Sequence, residues 1–103
     1  MATLGELSAA LEVGTDEYTD ALDGEAEAEN AYLRAFAAFF LRAKVDGVPA
    51  TIMSKYADAQ AVEEKAAWNL AVARVKRCYA KRDEIKSRLM ARMSHDKNVR
   101  DHT

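Results

Sequence analysis

The side chains that could do chemistry are few. His95 and His102, close to Asp96 and Asp101, contain the ligand types of a metal site, but they fall in a polar stretch without apolar periodicity, which reads as a solvated tail. Glu25 with Glu29, one helical turn apart, and the adjacent Glu63 and Glu64 are the carboxylate pairs available for acid–base work. Such work needs a concave site and shifted pKa values, and a thin helical protein offers little concavity, so these read as partnered or exposed helix charges. Cys78 is the single cysteine, with no histidine near it in sequence, and reads as a packed thiol rather than a nucleophile. No catalytic, cofactor-binding or metal-ligating residue is assigned, and the expected role is non-enzymatic.

The remaining chemistry is charge. Arg74, Lys76, Arg77, Lys81, Arg82, Lys86, Arg88 and Arg92 form a basic series with Tyr79 as its one interleaved stacking group. Arg74, Arg77, Lys81, Arg88 and Arg92 are the residues of an alternative reading in which this segment contacts nucleic acid. The formal net charge of −2 hides a division: residues 1–64 hold 4 Lys/Arg against 13 Asp/Glu, whereas residues 65–103 hold 11 against 4. An antiparallel fold would lay the acidic half on the basic half, and self-neutralisation then takes precedence over a free basic surface.

The elements that must position these groups are helices. Half of the 103 residues are hydrophobic, with 4 Gly and 1 Pro, and alanine, leucine and charged residues dominate, a composition of helical bundles and coiled coils. Thr3 with Glu6 is a capping box ahead of Leu4, Leu7 and Leu11, which predicts a short helix over 4–13. Gly14 and Thr15 interrupt it, and a long helix is predicted over 16–45 with Tyr18, Leu22, Tyr32, Phe36, Phe39, Phe40 and Ala43 on its buried stripe. Glu25 and Glu29 violate that stripe, so either this end of it reaches solvent or basic side chains meet them. Gly47 and Pro49 mark a reversal over 45–51. A short helix is predicted over 49–57, a fresh start at Asp58, and a second long helix over 58–93, with Trp68, Val72, Val75, Tyr79, Leu89 and Met93 on its stripe and Arg82 and Lys86 interrupting it. Residues 94–103 are expected to be a flexible tail, leaving a single helical domain over 1–93.

The fold class expected is therefore all-α: an antiparallel, coiled-coil-like helical hairpin with a short N-terminal helix and a short helix at the turn. A start at Asp58 pairs residues whose numbers sum to about 103, which sets Glu29 near Arg74, Glu25 near Arg77 and Cys78, Asp20 near Arg82 and Glu17 near Lys86. An unbroken second helix from Pro49 would bring the sum nearer 95. Two helices bury one stripe each and leave apolar flanks, so a homo-oligomeric bundle, most simply a dimer, is expected, with Leu4, Leu7, Leu11, Leu33, Leu41 and Leu70 as candidate interface residues. Without a spanning apolar run, a leader pattern or a disulfide framework, the expected setting is cytoplasmic, without membrane contact.

The segments Glu-Asn-Ala-Tyr-Leu-Arg-Ala-Phe-Ala and Phe-Leu-Arg-Ala, followed by Gly-Val-Pro-Ala-Thr, within residues 28–51, resemble small all-helical accessory proteins of tailed bacteriophages, often encoded near replication and recombination genes. The likeness covers roughly residues 27–79 and carries no catalytic residues. It implies an accessory protein in the host cytoplasm that acts through contacts with a phage or host protein, in DNA metabolism or on a host factor. Small secreted helical hairpins with a Trp-x-Gly turn are a poorer comparison, because Trp68 precedes Asn69 and Leu70 inside a helix.

Overall fold

The computed structural model describes residues 2–101. They form three helices, α1 over Leu4–Val45, α2 over Met53–Gln60 and α3 over Val62–Asp101, and among the described residues there is no strand. The protein is all-α. The described residues divide into two compact units, one formed by residues 2–21 with 75–101, the other by residues 22–74.

The start of α1 follows its capping box: the Thr3 hydroxyl accepts the Glu6 amide at 3.1 Å, and the Thr3 carbonyl accepts that of Leu7. The helix then runs through Gly14 and Thr15, so the separate helices predicted over 4–13 and 16–45 are one. The Thr15 hydroxyl donates back to the Leu11 carbonyl at 2.9 Å, a bond made inside a helix. Gly14 is buried against Arg82 and Ile85 of α3.

The end of α1 is chemically explicit. Gly47 has φ 77, the left-handed value expected of it, and the Val48 amide bonds the Ala43 carbonyl while that of Gly47 bonds Lys44. These two bonds make a Schellman termination, which satisfies carbonyls that the helix leaves open. Pro49 opens a turn closed by the Ile52 amide, and α2 begins only at Met53, not at 49. The break between α2 and α3 falls at Ala61, not at Asp58, because the Asp58 carboxylate is engaged by side chains elsewhere. The segment expected to be a tail is helical through Asp101, with an i,i+4 pair between Arg92 and Asp96 in its last turns.

In the first unit the seam is a heptad on both helices. Leu4, Leu7, Leu11, Gly14, Tyr18 and Ala21 on α1, and Val75, Cys78, Arg82, Ile85, Leu89, Arg92 and Asp96 on α3, alternate by three and four residues and are buried or half-buried. Arg82 therefore lies on the seam, and Tyr79, Lys86 and Met93, expected there, are exposed. Gly14 faces Arg82 and Ile85, Glu17 meets Lys81, and Tyr18 packs its ring on Tyr79 at 5.7 Å. These pairs descend along α3 as they ascend along α1, so the two segments run in opposite directions within this unit.

In the second unit Ala43, Ala57 and Ala61 are completely buried, and Tyr32, Phe36, Phe40 and Trp68 form a chain of ring contacts beside them. Small residues hold the innermost positions in both units. Among the described residues no large side chain is completely buried.

Candidate functional site

The most connected group of polar side chains is in the second unit. Tyr32 of α1 donates its hydroxyl to Asp58 Oδ1 of α2 at 2.5 Å, and Lys65 of α3 donates its ammonium to both Asp58 oxygens at 3.1 and 3.0 Å. One carboxylate thus ties three helices. The Tyr32 ring lies 5.4 Å from that of Trp68, whose indole Nε1 is buried and has no acceptor among the described residues.

The electrostatics of this group argue for holding rather than reacting. The Tyr32 hydrogen bond, followed by that of Lys65, lowers the Asp58 carboxyl below its ordinary 3.8. The bond to Asp58 raises the Tyr32 phenol above 10.0, and the same carboxylate raises the Lys65 ammonium above 10.5. Every shift moves away from neutrality. General acid–base work at neutral pH needs shifts the other way, so a clamp is what the arrangement can do.

The carboxylates and basic residues singled out above are distributed differently from the expected pairing. Glu29 is exposed and Glu25 half-buried. Glu17 pairs with Lys81 at 3.3 Å rather than with Lys86, and Arg82 donates Nε to the Thr15 hydroxyl at 3.0 Å rather than meeting Asp20. The Arg74 guanidinium lies over Gly24. Paired numbers in these contacts sum to 97 or 98, between the two alternatives, because burial of the heptad positions sets the register and exposed charges follow it.

Arg88 pairs with Glu84 at 2.6 Å and Arg92 lies 3.4 Å from Asp96, both on their own helix, and Arg77 is exposed. Arg88, Arg92 and His95 line a cavity of about 480 Å³ with Ala2, Leu7 and Ala91. His102 lies outside the described residues. Among the described residues no group of three or more His, Cys, Asp and Glu side chains is placed to hold a metal ion. Likewise, no helix among them is long and apolar enough to cross a membrane.

The six leucines taken as interface candidates divide. Leu7 is 8% exposed, and Leu4 and Leu11 are half-buried on the same seam, so these three serve the interior of the first unit. Leu33, Leu41 and Leu70 are 51%, 63% and 71% exposed in the second. Val62 is 60% exposed beside them in sequence space on α3, a residue the stripe reading did not single out. The signal that could have found it is its spacing of eight residues from Leu70 along one helix ridge. Compared with known proteins, the chain matches no family model, no curated protein and no solved structure.

Proposed function

We propose that the chain is a non-enzymatic, antiparallel helical hairpin that self-associates, most simply as a dimer in a four-helix arrangement, and acts by binding another protein. The carrying observation is exposed apolar surface. Leu33, Leu41, Val62 and Leu70 are more than half exposed, yet no large side chain is completely buried among the described residues. Large apolar side chains exposed in this way on a small helical protein are the signature of an association face.

The turn sequence Gly-Val-Pro-Ala-Thr and the segments before it support placing this activity in a tailed-phage accessory protein in the host cytoplasm, acting on a replication, recombination or host factor. The basic residues Arg74, Arg77, Lys81, Arg88 and Arg92 are the basis of the nucleic-acid alternative. It is the weaker reading, because Lys81, Arg88 and Arg92 already face Glu17, Glu84 and Asp96.

Light scattering at micromolar concentration tests the self-association: a mass above 11.4 kDa is expected, and a clean monomer defeats it. Capture from host lysate beside an oligonucleotide titration at low salt separates protein from nucleic-acid binding. A tight oligonucleotide complex that weakens steeply with salt would overturn the protein-binding reading.

A further inference from the structure

Two rows of exposed apolar residues in the second unit have the same construction. On α1, Leu33, Ala37 and Leu41 stand at i, i+4 and i+8; on α3, Val62, Ala66 and Leu70 do the same, and all six are exposed. Rows of this spacing are the ridges that interlock when two helices pack at about −50°, and the central alanine of each lets the backbones approach. The rows are equal in length and both have a small centre between larger ends.

Their charges are opposite. Residues 30–45 of α1 contain Arg34, Arg42 and Lys44 and no Asp or Glu, the reverse of the acidic character of the rest of that half. The start of α3 contains Glu63 and Glu64, with the neighbouring Lys65 held by Asp58. Arg34 follows Leu33 and Glu63 follows Val62, and both side chains are exposed at the margins of their rows. Each chain therefore carries a basic-edged ridge and an acidic-edged ridge of matching form.

We infer that these ridges are the two sides of one contact between copies of the chain, the Leu33–Ala37–Leu41 row of one copy seating on the Val62–Ala66–Leu70 row of another, with Arg34 facing Glu63. This assignment rests on the self-association proposed above and names its surface. Made twice about a two-fold axis, each row of one copy on the other row of its partner, the contact is isologous and closes a dimer; made once per copy it is heterologous and continues head to tail.

Sedimentation velocity on the full chain tests it with charge reversals. Arg34→Glu and Glu63→Arg are each expected to weaken association at least about tenfold by placing like charges at the contact. An equimolar mixture of the two variants, and the double variant, restore it, since either arrangement recreates opposite charges. Leu41→Asp and Leu70→Asp, at exposed positions, abolish association while circular dichroism keeps the helical spectrum of the wild type. Should a reversal unfold the chain, Arg34→Ala and Glu63→Ala weaken association without introducing repulsion. A wild-type monomer overturns both the self-association and this surface. A wild-type oligomer that ignores all these variants overturns the surface alone, and so does a mixture that fails to reassociate.

Discussion

Tyr32 and Asp58, 26 residues apart in sequence, are joined by a 2.5 Å hydrogen bond from phenol to carboxylate, and Lys65 closes on the same carboxylate from α3. This bond fixes the short helix α2 against both long helices.

The clamp has a definite pH signature. Asp58 is depressed on folding, so its contribution is full above its ordinary 3.8 and is lost as pH falls through the lower folded value. Tyr32 and Lys65 are raised, so theirs is full below 10.0 and 10.5 and is lost as pH rises through the higher folded values. Across the neutral range the clamp is expected to contribute constantly to Tm. Asp58→Asn lowers Tm at pH 7 and flattens the acid limb of the Tm–pH curve, as thermal melts followed by circular dichroism will show. An unchanged acid limb would remove Asp58 from the account.

Trp68 packs on Tyr32 but leaves its indole N–H without an acceptor among the described residues. Trp68→Phe keeps an aromatic ring and deletes an unsatisfied donor, so it is expected to cost under about 1.5 kcal/mol in urea unfolding. Trp68→Ala removes the ring and costs about 3 kcal/mol. Equal costs for the two would mean that the N–H has a partner.

Gly14 is helical and buried, and a Cβ built there would meet Arg82 and Ile85 at 3.8 Å, ordinary van der Waals contact. Gly14→Ala therefore fits, and the gain in helix propensity is expected to raise stability by about 0.5–1 kcal/mol. A fall in the urea midpoint would show that the helices need the absence of a side chain there.

Gly47 presents the opposite case. No atom lies within 4 Å of a Cβ added there, but φ is 77, so the cost of a side chain is purely conformational. Gly47→Ala is expected to destabilise by about 1 kcal/mol, Gly47→Val by more, and Gly47→Asn by less, since Asn tolerates the left-handed region. Chemical denaturation of the three variants checks the order, and a Val variant as stable as the wild type would contradict it.

How much of this was legible follows from the range of each cause. The capping box at Thr3, the left-handed Gly47 and the helical character of the chain are short-range effects, written in residues a few positions apart, and the sequence alone determined them. The three exposed leucines were legible as surplus apolar residues off the stripe. The continuity of α1 through Gly14 was not, because helix propensity penalises that glycine locally, and only the tertiary structure shows it buried against Arg82 and Ile85. Nor was the role of Asp58: its residue type suits a helix cap, and only the tertiary structure decided that its partners are Tyr32 and Lys65. The register was decided in the same way. Opposite charges admit several alignments at similar energy, whereas burying the heptad positions of both helices together admits few, so packing chose the alignment and the salt bridges formed where it left them.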